Sequence, residues 1–564
     1  MQKDRDSANM LPSLPSVRDV SNFSHLGTLY DSLAKSSDAE SLYTRALTLA
    51  EQRFGANHLY TAQNLNNLAI FYESRGKYDE AESLYSRTLT IRSAQLGASH
   101  PFTVHSVNNL AVLYELMGRY TEAEPLYNRA LVVREEVWGA NHLQTAKSLF
   151  NLTALYVAMG KYTEAEALCL RTLVIYEREL GANHLDTSLG LQHLASLYLI
   201  MGRYAEAEPL SVRSLAISEQ TLGIDHLDTA ESLQQLAGLY VEMGRFDRAE
   251  LLYERALAIC EQKLGASHPA VVKCLNKLAA LTGEMGRYEE AKALYLRALA
   301  IVQQEFGTNH LDTTEGLNNL AGFYRSYREY LEAERLYLCT LDICERQLGT
   351  EHPYTAQSLN YLAHLYYDMD RYLDAEPLLV RALGIYQQQL GGEHPQTAKS
   401  LSYLANLYYR MKQDDRAEAL YLRSLDISER QLGPDHPRCA QGLNNLGVLY
   451  GRMEKYDRAE AMHLHALEIR ERQLGADSLQ VASCLNNLAF LYRSMGKYPE
   501  AEQMYARSLA IREQQLGIDH PKTDKIRSNF LEFLAEVSAA GQIERLGGHP
   551  LTQVLLGPID RVSG

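Results

Sequence analysis

The stretch QLGASHPFTVHSVNNLAVLYELMGRYTEAEPLYNRAL, from Gln95 to Leu131, decides the fold, because near-copies of it recur along the chain. Its Gly97 belongs to a series, Gly55, Gly97, Gly139, Gly181, Gly223, Gly265, Gly307, Gly349, Gly391, Gly433, Gly475 and Gly517, spaced by 42 residues without insertion or deletion. Self-similarity at one fixed period marks a repeat array rather than several independent domains.

Offsets counted from that Gly define the unit. Leu, Ala and Tyr recur at 13, 14 and 17, as in Leu110, Ala111 and Tyr114, on one face of a first helix. A second apolar set at 26, 29, 33 and 34, as in Ala123, Leu126, Ala130 and Leu131, makes a second helix. The Gly at offset 21, for example Gly118, sits where the chain turns back and is expected to be left-handed. In four later units Arg328, Asp370, Lys412 and Glu454 replace it, at a strain of about 1 kcal/mol each. Asn, Asp or Ser at offset 2 is expected to cap the first helix, with Pro at offset 4 in its first turn. One antiparallel pair cannot bury its apolar faces alone, so the pairs must stack into an all-α solenoid.

The pattern LNNLA.LY...GKY.EAE.LY.RAL.IRE..LG..HP.TA resembles the 42-residue tetratricopeptide repeat of kinesin light chain-like proteins and covers about nine-tenths of the chain. The resemblance implies a right-handed superhelix of antiparallel helix pairs, with first helices lining a concave groove that receives a peptide segment or partner protein. The expected layout is a flexible tail over 1–12, twelve repeats over 13–516 of which the first is degenerate, a capping helix within 517–540 and a C-terminal tail over 541–564, either a disordered end or a segment that docks into the groove or presents a motif.

Composition narrows the function. The net charge of −15 opposes binding to a nucleic-acid backbone. Seven scattered cysteines without C-x-x-C spacing suggest neither a disulfide framework nor a zinc knuckle and fit a reducing compartment. No run of about 18 apolar residues points to membrane insertion, and the charged, proline-containing start does not read as a signal peptide, so a cytoplasmic location is expected. The oligomeric state is left open.

The recurring His at offset 3 (His58, His100, His142, His184, His226, His268, His310, His352, His394, His436 and His520, with Ser478 in the remaining place) invites a catalytic or metal reading. Stacked copies lie roughly 8–10 Å apart, too far to share a metal, and a catalytic constellation is unique rather than copied. A loop imidazole bonded to backbone is the expected role. The recurring Glu at offset 27 (Glu82, Glu124, Glu166, Glu208) and Arg at offset 32 (Arg87, Arg129, Arg171, Arg213) read as solvated or inter-repeat ion pairs. Phosphate-loop, nucleophile-elbow and zinc-protease motifs do not occur, so no enzyme, cofactor, metal or catalytic residue is expected.

Partner specificity should then lie on groove-facing positions. By resemblance, offsets 11 and 12 carry an amide ladder: Asn66, Asn67, Asn108, Asn109, Asn151, Asn276, Asn318, Asn319, Asn360, Asn444, Asn445, Asn486 and Asn487. An amide donates and accepts, so these residues either pair with a peptide backbone or align neighbouring repeats. The Gly349 and Gly391 units add an aromatic patch of Tyr361, His364, Tyr367, Tyr403, Asn406 and Tyr409. Charge runs from Glu73, Glu115, Glu242 and Glu284 to Arg325, Arg410, Arg452 and Arg493, a polarity that would orient a peptide. The leading expectation is a non-catalytic scaffold or adaptor. The alternative is a regulatory subunit or sensor that controls a partner enzyme through the solenoid.

Overall fold

The computed structural model describes Leu26, residues 36–518 and residues 520–559; the expected tail at 1–12, the first helix of the degenerate unit and residues 560–564 lie outside the described residues. Among the described residues are twenty-five α-helices, one 3-10 turn and no strand. Consecutive helices pair as the periodicity requires, for example Pro353–Asp368 with Tyr372–Gln389, and the chain is an α-solenoid. It divides into two compact units, Met1–Leu155 and Tyr156–Gly564, the division falling inside the helix Leu143–Ala158.

Eight of the twelve junctions between repeats are built from three residues of the sequence motif, a Gly, a Thr and a His. The period-marking Gly has φ between 84° and 99°, and at Gly97 ψ is 163°, a region that a side chain with a Cβ does not enter. Eight threonines at offset 6, from Thr61 to Thr397, donate their hydroxyl to the carbonyl of that Gly at 2.7–2.8 Å. The offset-3 His closes the loop: in all eleven copies Nδ1 accepts the backbone N–H two residues on, at 2.9–3.3 Å. Ser478 does the same work with Oγ, accepting from Val481 N at 3.3 Å. The cap is therefore the imidazole at offset 3 and not the polar residue at offset 2. His100, at φ −71° and ψ 140°, has the extended backbone a cap needs, and Pro101 follows it as the first helical residue.

The turn between helices is left-handed as expected, with Gly118 at φ 69° and Gly202 at 74°. Arg328, Asp370, Lys412 and Glu454 hold the same conformation at φ 57–62°. The alanines at offsets 14 and 26, such as Ala111 and Ala123 in the first unit and Ala237 and Ala249 in the second, are fully buried and let the helices approach.

The recurring Glu at offset 27 joins neighbouring repeats. In the first unit Tyr114 Oη donates to Glu82 at 2.9 Å, and Arg119 pairs with the same carboxylate at 2.7 Å while its guanidinium lies 4.2 Å from the Tyr114 ring. In the second unit Tyr198, Arg203 and Glu166 repeat the arrangement, with both bonds at 2.7 Å. Arg at offset 32 also reaches back one repeat, as Arg87 to Glu51 at 2.6 Å and Arg213 to Glu177 at 2.7 Å. Both charge series are thus inter-repeat ion pairs.

At the C-terminal side the helix Pro521–Ala539 buries Phe530, Phe533 and Leu534, with Tyr505 and Phe530 rings 5.5 Å apart. Residues 541–559 make contacts with the last repeats. The backbone N–H groups of Gly547 and His549 donate to the Glu502 carboxylate at 2.5 and 2.8 Å, and Arg545 donates to Gly496 O at 3.0 Å. Glu502 holds offset 27, and the positions one repeat on where its Tyr and Arg partners would stand are Leu534 and Ala539. At 1% exposure, a carboxylate without partners would be costly, and the tail supplies two donors.

Two outcomes are expected. Ala237→Leu overpacks a fully buried contact and should lower unfolding free energy by about 1–3 kcal/mol, read from denaturant curves. Burial, followed by its bond to Glu166, pushes the Tyr198 phenol up to about 12. The folded state favours the neutral phenol, so this contribution is whole below the unfolded value near 10 and lost as pH rises to about 12. Alkaline unfolding should fall in that window and move down in Glu166→Ala.

Candidate functional site

The first-helix face of the Gly265, Gly307 and Gly349 repeats forms an open cavity of about 660 Å³. The helices Val271–Glu284, Thr313–Ser326 and Pro353–Asp368 supply its floor, and Tyr295 and Tyr337 reach it from second helices. Five of the predicted residues line it: Glu284, Asn318, Asn319, Arg325 and Tyr361. Tyr295, Phe323, Tyr327 and Tyr337 were not anticipated, since they stand at offsets outside those read as groove-facing.

Within the cavity Arg325 Nε pairs with Asp368 at 2.5 Å, and the Tyr337 and Tyr361 rings stack at 5.9 Å. Along its amide row, the side-chain oxygens of Asn276, Asn318 and Asn360 are buried and accept no hydrogen bond among the described residues. Three successive repeats therefore bury an acceptor that has no donor among the described residues, a rare condition for polar atoms, and of the three residues only Asn318 lines the cavity.

Elsewhere the amide ladder aligns repeats. In the first compact unit Asn109 Nδ2 donates to Asn66 Oδ1 at 2.9 Å and Asn151 to Asn108 at 2.7 Å, while Asn67 accepts from Gln63. In the second, Asn444 meets His463 Nδ1 at 2.8 Å and Cys484 Sγ at 3.1 Å, Asn445 accepts from Gln441, and Asn486 accepts from Asn529. Asn319 and Asn487 stand half-buried on the same face.

The aromatic patch is assembled in part. The His364 and Tyr403 rings meet edge to face at 4.3 Å, and Arg410 lies 5.4 Å from the Tyr367 ring. Asn406 is taken by Tyr421, and Tyr409 by the Arg452 guanidinium, 3.7 Å from its ring centroid. Burial, then the cation of Arg325, pushes His364 down to about 4, against Asp368.

The basic end of the expected charge polarity is paired within the array. Glu73 and Glu115 accept from Tyr85 and Tyr127, while Arg325, Arg410, Arg452 and Arg493 pair with Asp368, Asp370, Asp414 and Glu536. The acids sit one repeat away in sequence, so the arginines read as unpaired cations only when each repeat is considered alone.

Among the described residues no cluster of His, Cys, Asp and Glu could hold a metal ion, and all seven cysteines are free thiols. Matches to the tetratricopeptide repeat model run from residues 20–94 to 480–530 and cover most of the chain, which therefore belongs to the tetratricopeptide repeat family. Solved structures similar to it include a Podosopora anserina protein of kinesin light chain type with nearly identical TPR-like repeats, 26% identical over 37% of this chain and 98% of that one, TM-score 0.33. Another is BtubC (BKLC) from P. vanneervenii, 27% identical over 44% of this chain and 94% of that one, TM-score 0.33. No curated protein matches the chain.

The His364 geometry has a measurable consequence. The imidazole is held neutral, so the stability it contributes is whole above the unfolded value near 6.5 and is lost as pH falls towards about 4. Proton-detected titration should place His364 near that lower value, and Arg325→Gln should move it upward. A His364 midpoint unmoved by Arg325→Gln would contradict this electrostatic account.

Proposed function

We propose that the chain is a non-catalytic interaction scaffold that binds an extended segment of a partner protein on the first-helix face of the Gly265, Gly307 and Gly349 repeats. Tetratricopeptide repeats serve as protein-interaction platforms, and the family supplies the class of partner. The observation that carries the reading is the open cavity of about 660 Å³ on this face, lined by Asn318, Asn319, Arg325 and Tyr361. The amides of Asn318 and Asn319 can donate to and accept from the backbone of an extended peptide. Tyr361 and Tyr337 give the segment an aromatic wall.

The remaining predicted groove residues around Tyr403, Tyr367 and Arg410 extend this face into the next repeats. Among the described residues no helix is long and apolar enough to cross a membrane. With seven free thiols, the reading places the scaffold in a reducing compartment, the cytoplasm.

Affinity purification from the native host, followed by a dissociation constant for the captured protein, tests the proposal. Asn318→Ala combined with Tyr361→Ala should weaken binding by on the order of tenfold or more, equivalent to at least about 1.4 kcal/mol. Asn109→Ala, which breaks a repeat-aligning bond, should leave affinity unchanged. Equal affinity in wild type and the Asn318/Tyr361 variant would remove the groove reading.

A further inference from the structure

Within residues 156–564 the solenoid comes back to touch itself. His436 Nε2 lies 3.2 Å from the carbonyl oxygen of Ala158, 278 residues earlier in the chain and so between six and seven repeats away. The contact has two sisters at the same register. Ser478 and Gln480 sit against Gly202, and His520 against Gly244, with the Phe246 and His520 rings 6.4 Å apart. Leu474, Leu479 and Leu516 join the apolar core of the Tyr162–Leu281 region across the same line. A seam of cap loops on helix-helix turns therefore closes one coil onto the next.

The seam explains a pattern that backbone conformation alone does not. All the turns are left-handed, yet Arg328, Asp370, Lys412 and Glu454 occupy that conformation with full side chains. Glycine is thus not demanded by φ alone. At Gly160 an added Cβ would lie 2.6 Å from both His436 Cδ2 and Pro437 Cδ, and at Gly244 it would meet the His520 ring still closer. At Gly286, with φ 79°, an added Cβ meets nothing within 4 Å. At Gly160 and Gly244 the cap loop leaves no room for a Cβ, whereas at Gly202 the nearest atom would be 3.5 Å away.

Successive helices pack along their lengths, whereas the seam joins cap loops, a few leucines and one slight helix contact, between Tyr162–Glu179 and Tyr456–Leu474, so parting it separates no consecutive helix pair. We propose that the seam is a clasp: residues 156–564 alternate between a closed form, with the His436, Ser478 and His520 loops seated on Gly160, Gly202 and Gly244, and an open form in which they lift off. Opening admits a partner to the first-helix face from the side instead of by threading along the coil. That last consequence rests on the groove reading, but the experiment below involves no partner, so its failure leaves that reading standing.

The test uses the full chain. An ideal Cβ at Gly202 lies 3.8 Å from Ser478 Cβ, the separation typical of a disulfide. With oxidised glutathione as oxidant, Gly202→Cys/Ser478→Cys should form an intramolecular disulfide, mapped by mass spectrometry, that neither single variant forms. Absence of that bridge overturns the seam. In the double-cysteine background, Gly160→Ala should slow cross-linking at least tenfold and raise the radius of gyration in small-angle scattering at unchanged helicity. Gly286→Ala imposes the same backbone strain without the clash and should do neither. Equal effects of the two alanines, or no effect of Gly160→Ala, would overturn the clasp.

Discussion

The interaction on which the rest of this protein depends is the small lock at most repeat boundaries. A Gly in a backbone region closed to other residues hands its carbonyl to a threonine hydroxyl, while a histidine ring caps the helix that follows. Together they fix the angle between the second helix of one repeat and the first helix of the next. Because the lock is local, its repetition repeats the angle, and the alanines at the helix crossings set the spacing. The ion-paired Glu at offset 27 then ties adjacent units without specifying anything new.

That hierarchy accounts for what was legible in the residues. Helix pairs, left-handed turns and the all-α class follow from local spacing, so Gly97, Ala111 and Gly118 disclosed them directly. The identity of the cap was missed because capping preferences point to Asn, Asp and Ser, while here an imidazole nitrogen plays the acceptor. The contacts of the tail beyond Gly541 were illegible for a different reason. Its low helical periodicity concealed that Glu502 lacks the next repeat's Tyr and Arg and accepts the tail's backbone N–H groups instead.

The candidate site was legible only in outline. Asn66 and Asn318 occupy the same offset, yet the oxygen of one accepts from Asn109 and that of the other has no partner. A neighbouring repeat's side chain makes the difference, and no single repeat records it. The same holds for Arg325, whose carboxylate partner, Asp368, lies 43 residues away. Function in such an array is written in departures from periodicity, and their meaning depends on contacts one repeat distant.

A coil that meets itself after more than six repeats is a vernier. Any small error in the rotation between neighbours is multiplied around the turn before His436 reaches the Ala158 carbonyl. Loops of a stacked array ordinarily tolerate insertions, because each unit answers only to its neighbours. Here a single added residue between those two points would shift every later contact out of phase. The unbroken count of 42 through this part of the chain is thus the calibration that lets distant loops arrive in register.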